Sequence, residues 1–113
     1  MDELTKKCLR DILESIAGIE SYLGDKRNFS DYKSNRMLRK AVERELEIIG
    51  EAMNRILRIH PEIEISNKHK IIGMRNAVAH GYDRVEDEVV WGVVSRHLPF
   101  LKTEVENLLS KEH

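Results

Sequence analysis

At 113 residues the chain has room for one domain with a modest core, and the whole span 1–113 reads as a single domain. Aromatic residues make up 5% and Gly and Pro are few, while Leu, Ile, Val, Ala, Glu, Lys and Arg dominate, a mixture that predicts an all-α fold. Nineteen Lys and Arg against twenty Asp and Glu give a formal charge of -1, which excludes a molecule that attracts nucleic-acid backbones as a whole; any such contact has to be local.

The first predicted helix runs from Leu4 to Leu23, because Leu9, Ile12, Leu13, Ile16, Ile19 and Leu23 recur at steps of three and four. Cys8 falls on its apolar side. A lone cysteine cannot form an internal disulfide and reads here as a small core residue. No apolar run approaches the ~20 residues needed to span a bilayer, and Met1-Asp2-Glu3 does not open a signal peptide, so a cytoplasmic protein without membrane contact is expected.

Gly24-Asp25 and Asn28-Phe29-Ser30 interrupt the pattern, with Ser30 or Asp31 as the cap of a second, longer helix from Asp31 to Ile59. Leu38, Ala41, Val42, Leu46, Ile49, Ala52, Met53, Ile56 and Leu57 keep its period, and His60-Pro61 ends it. Its apolar surface is broad enough to serve both the core and a partner chain. Arg36, Lys40, Arg44, Glu47, Glu51, Arg55 and Arg58 form a charged line that reads as mutually paired and solvated. Pro61 to Ser66 is a connection, with Ile63 and Ile65 expected against the core.

A third helix starts after Ser66 or Asn67, carries Ile71, Ile72 and Met74, and stops near Gly81. Asp83-Arg84-Val85-Glu86 reads as a capping box for a fourth helix bearing Val90, Val93, Val94, Leu98, Leu101, Val105, Leu108 and Leu109, which Pro99 should kink or split. Trp91 and Met53 read as core or interface residues.

The end of the third helix carries the chemistry, in the octet Arg75-Asn76-Ala77-Val78-Ala79-His80-Gly81-Tyr82. RNA can be cut without a metal when its own 2′-hydroxyl attacks the adjacent phosphate, provided a base takes the hydroxyl proton and positive charge stabilises the phosphorane. His80 is suited to the proton and Arg75 to the phosphate oxygens. Asn76 and His80, at i and i+4, face the same way, so Asn76 can orient the imidazole or touch RNA. Arg75 and His80 are about 140° apart on an ideal helix. Arg75 therefore reaches around the axis, the helix loosens near Gly81, or the two come from different chains. A two-fold dimer with these helices near the axis would supply two such sets and a paired acid and base.

His60, His69, His97 and His113 fit no metal-binding spacing, so neither metal nor cofactor is expected. Read alone, Arg75, Asn76 and His80 would merely cap and solvate a helix end, and the Tyr82 phenol would have a packing role.

The octet resembles the ribonuclease signature of the HEPN superfamily, and its Gly81-Tyr82 looks like the HepT branch. Ala41-Val42-Glu43-Arg44-Glu45-Leu46-Glu47-Ile48-Ile49-Gly50-Glu51-Ala52 and Asp87-Glu88-Val89-Val90-Trp91 are also similar to that branch, so the likeness spans about Arg36 to Leu109. It implies a four- to five-helix bundle with two long antiparallel helices, assembled as a two-fold homodimer. It also implies an RNA-cleaving toxin neutralised by a minimal nucleotidyltransferase antitoxin, which transfers AMP to the tyrosine matching Tyr82. Two other readings stand beside it: a catalytically silent module that presents Tyr82 to a nucleotidyltransferase, and a helical interaction domain using the broad second helix.

Overall fold

The computed structural model describes residues 1–25, 27–80 and 87–111, leaving aside the side chains of 76–80. The first helix, α1 (Glu3–Leu23), is opened by Asp2, whose carboxylate accepts the Thr5 N–H at 2.7 Å. It is closed by Gly24 at φ 68, a left-handed conformation that glycine takes without a Cβ penalty, with the Gly24 N–H donating to the Glu20 carbonyl.

The long second helix is divided where the sequence predicts continuity. A short α2 (Phe29–Ser34) precedes α3 (Arg36–Ile59), and Asn35 stands between them with φ -107 and ψ 99. The caps are accordingly Asn28, accepting from the Asp31 N–H at 3.1 Å, and Asn35, accepting from the Leu38 N–H at 3.0 Å, rather than Ser30 or Asp31. A short amide side chain satisfies the open N–H groups of a new helix better than it serves a helix interior, so Asn35 breaks the run.

α4 (Lys68–His80), α5 (Asp87–Gly92) and α6 (Leu98–Ser110) complete the chain, α5 passing into α6 through a π-helical turn, Val93–His97. The Leu98 N–H reaches back five residues to the Val93 carbonyl. Pro99 follows at once, unable to donate to the carbonyl four residues back and crowding it with its ring. The expected split at Pro99 thus takes the form of a widened turn just before it.

All of the described residues lie in helices and their connections, and the all-α expectation holds. α1 and α3 run antiparallel: Gly18 and Tyr22 lie against Glu45, while Cys8 and Asp11 lie near Ala52 and Arg55. α3 has α1 on one side and α4 on another, and α6 rests on α1, where Lys102 pairs with Glu20 at 3.3 Å. The core comes from Leu9, Ile12, Ile16 and Ile19 of α1, from Val42, Leu46, Ile49, Met53 and Ile56 of α3, and from Leu98, Leu101 and Val105 of α6. Each buried Leu or Ile contributes roughly 1.5–3 kcal/mol, more than any exposed ion pair on these helices, so the apolar stripes set the packing. The breadth of α3 is used by two neighbours of its own chain. Cys8 is buried, Ile65 is buried and Ile63 half-buried, as the sequence predicts.

Candidate active site

α4 carries Arg75, Asn76 and His80, and it is tied down from its first turn. Before it, the Ser66 N–H donates to both carboxylate oxygens of Glu104 on α6, at 3.2 and 3.0 Å. Lys68 donates to the carbonyls of Pro61 and Ile63, closing the connection from α3. Asn67 takes φ 58, a left-handed conformation that asparagine tolerates, and its carbonyl accepts the Ile71 N–H at 3.0 Å. Ile71 is buried against the core.

One turn further on, Arg75 packs against Gly50 in the middle of α3. A Cβ placed on Gly50 would stand 2.1 Å from the Arg75 Cβ, 2.6 Å from its Cγ and 3.4 Å from the Ile71 carbonyl oxygen. The arginine stem therefore lies directly over the α3 backbone, in a space that exists because residue 50 has no side chain. Arg75 is half-buried, and its Nε is removed from solvent.

The α4 backbone stays α-helical through His80. Residue 80 is therefore about 140° around the axis from residue 75, as ideal geometry requires, and no loosening occurs between them. Of the three routes by which the pair could act together, a loosening near Gly81 falls on residues outside those described. Arg75 is turned toward α3, and the position of His80 is turned away from that contact. Asn76 lies one residue beyond Arg75. Gly81, Tyr82 and the capping box Asp83-Arg84-Val85-Glu86 lie outside the described residues.

The segment resumes at a second anchored point. Asp87 pairs with Arg39 of α3 at 4.0 Å and Glu88 with Lys33 of α2 at 3.3 Å, while Arg39 also donates to the Lys33 carbonyl. Behind them Trp91 packs on Tyr32 and Phe29, with ring centroids 5.3 and 5.7 Å apart. Burial pushes the Tyr32 phenol well above its ordinary range, Glu43 and Asp87 push the same way, and Arg39 opposes them. Arg75 on α4 and Asp87, Glu88 and Trp91 on α5 are thus each seated against α2 or α3.

Local charge separates this region from the rest of a nearly neutral chain. Ile65 to Tyr82 contains no Asp or Glu, but it holds Lys68, Lys70, Arg75, His69 and His80. Composition of the whole chain hides this; a count over the helix exposes it. Among the described residues, no group of three or more His, Cys, Asp or Glu side chains is placed to hold a metal ion, and no helix is long and apolar enough to cross a membrane.

The sequence pattern of the Ribonuclease HepT-like family matches residues 12–108, nearly the whole of this helical unit and all of the octet. The chain belongs to that family. It is 36% identical over 107 residues to "Probable ribonuclease HepT" of Thermococcus cleftensis, covering 91% of this chain and 94% of that one. It is also 35% identical over 102 residues to "Putative RNase MJ1380" of Methanocaldococcus jannaschii, covering 89% and 93%. A third relative, "Putative RNase TTE0752" of Caldanaerobacter subterraneus, is 28% identical over 118 residues. No solved structure matches the chain at a significant level. The resemblance drawn from the octet is borne out at the level of the family, and ribonuclease is the enzyme class that goes with it.

Within this HepT-like chain, the role of Gly50 escapes a reading based on motifs, although it stands inside one of the resembling blocks. The available signal is the glycine itself. In a 24-residue helix, an interior glycine costs about 1 kcal/mol relative to alanine, so it calls for a reason in packing.

Proposed function

We propose that the chain is a metal-independent RNA endonuclease and the toxin of a cytoplasmic toxin-antitoxin pair. In this reading it acts as one domain spanning 1–113, with an active site shared between two copies of a homodimer. Arg75 binds and neutralises the phosphate that becomes pentavalent, His80 moves the proton of the 2′-hydroxyl, and Asn76 orients the imidazole or holds the RNA. The observation that carries the reading is the divergence of Arg75 and His80 on an unbroken helix whose arginine stem is fixed against α3. A second copy would supply the missing acid or base, and the carboxylate-free stretch from Ile65 to Tyr82 provides the local positive field that the molecule lacks overall.

Tyr82 is proposed as the acceptor of AMP from a cognate minimal nucleotidyltransferase antitoxin. The added phosphate would compete for Arg75 and repel substrate phosphate.

The test is cleavage of labelled RNA by the purified chain with a chelator present. Arg75→Ala and His80→Ala should each lose most of the activity while circular dichroism stays that of the parent. Parent-rate cleavage by both variants, or loss of parent activity to the chelator alone, counts against the assignment. AMP transfer to the Tyr82 peptide without any RNA cleavage would instead favour a silent module that partners the nucleotidyltransferase.

A further inference from the structure

We infer that Gly50 is a positioning residue for Arg75: the bare backbone of α3 at this point sets how close the arginine stem sits and hence where its guanidinium is delivered. The inference rests on the ribonuclease reading given above.

The backbone of α3 does not itself demand glycine at position 50, since this is an ordinary helical site and alanine is the better helix former there. The demand comes from across the interface. At 2.1 Å, a Cβ on residue 50 would overlap the Arg75 Cβ, an atom fixed to the α4 backbone rather than the free end of a flexible chain, and at 2.6 Å it would also meet the Arg75 Cγ.

The other helical glycines among the described residues differ. Gly73 and Gly92 have nothing within 4 Å of an added Cβ, and Gly18 faces the carboxylate tip of Glu45, which can swing aside. Relief of the overlap at Gly50 requires α4 to move away from α3 by about 1.5 Å, to reach ordinary carbon contact. That movement would carry Arg75 with it and shift the backbone that leads to His80. A displacement of about 1 Å at a reacting group can cost on the order of a hundredfold in rate.

The experiment compares steady-state RNA cleavage by the parent, Gly50→Ala, Arg75→Ala and Ala52→Gly. The last variant weakens the same helix without adding an atom opposite Arg75. Gly50→Ala should lose about tenfold to a hundredfold in kcat/KM, mainly in kcat, and much more than Ala52→Gly at an equal fraction folded. In an Arg75→Gly background, which removes the Cβ that an added methyl at position 50 would meet, Gly50→Ala should add little further loss. A fall in Gly50→Ala no larger than that of Ala52→Gly overturns the inference while the ribonuclease assignment stands. Parent-like cleavage by Arg75→Ala defeats the assignment itself.

Should Gly50→Ala fail to fold, the double variant Gly50→Ala/Arg75→Gly moves the Cβ from one helix to the other and should recover the cooperative melt. No recovery overturns the inference.

Discussion

Glu104 on α6 accepts the Ser66 N–H through both carboxylate oxygens, so the start of the helix that bears Arg75 is tethered to a helix from the far end of the chain. Glu104→Ala should therefore loosen the first turn of α4. The contact is exposed, and the expected cost is about 0.5–1.5 kcal/mol. Thermal melting should show a few degrees of loss, and hydrogen exchange should quicken at the Ile71 and Ile72 amides before it does in α1. Glu104→Gln keeps an acceptor and should fall between the two. Unchanged exchange in α4 would mean that the tether contributes nothing.

Arg75→Lys separates charge from shape. Lysine keeps the positive charge but loses the planar fork that meets two phosphate oxygens. If Arg75 stabilises the transition state as proposed, the lysine variant should retain more activity than Arg75→Ala yet still fall roughly tenfold or more below the parent. Equal activity of the lysine and alanine variants would show that charge at this position is not what matters.

Burial pushes the Cys8 thiol above its ordinary value, because the thiolate would lose its water. The sign follows: the neutral thiol is favoured by the fold, the associated stability is fully present below the ordinary thiol pKa, and it is lost as pH rises through the raised value. A thiol reagent at pH 8 should leave the native protein unlabelled and label it stoichiometrically in denaturant. Rapid native labelling at that pH would contradict the buried position.

Asn35 closes α2 and opens α3, so its removal should affect both. Asn35→Ala is expected to cost about 1 kcal/mol through the lost cap. Trp91, the single tryptophan of the sequence, packs on Phe29 and Tyr32 of α2. Its emission should shift to the red if α2 loosens, and an unchanged spectrum with an unchanged melting temperature would show the break to be unimportant.

What could be read from the sequence divides along physical lines. The α1 and α3 cores are legible because Ile12, Ile16 and Ile19, or Leu46, Ile49, Met53 and Ile56, mark one face by spacing alone. The division at Asn35 is not, because apolar residues continue on both sides and a single side-chain hydrogen bond decides the outcome. Arg75 is singled out by its chemistry and by the motif. Its seat on Gly50 joins residues 25 positions apart, and no local pattern reports a contact between two helices. The stop expected at Gly81, the Asp83–Glu86 cap and Tyr82 lie outside the described residues.

The π turn at Val93–His97 also bears on how this helix can vary in length. Val90, Val94, Leu98, Leu101 and Val105 are spaced four, four, three and four apart, so fifteen residues cover four turns where a uniform α-helix would use about 14.4. The widened turn absorbs the surplus and keeps these buried side chains on one side of the helix. It also gives Pro99 the slack its ring needs. Loss of one residue at Ser95 and replacement of Pro99 are therefore coupled changes: shortening alone would return the proline to a regular helix that rejects it, whereas the deletion made together with Pro99→Ala should leave a continuous helix in nearly the same register.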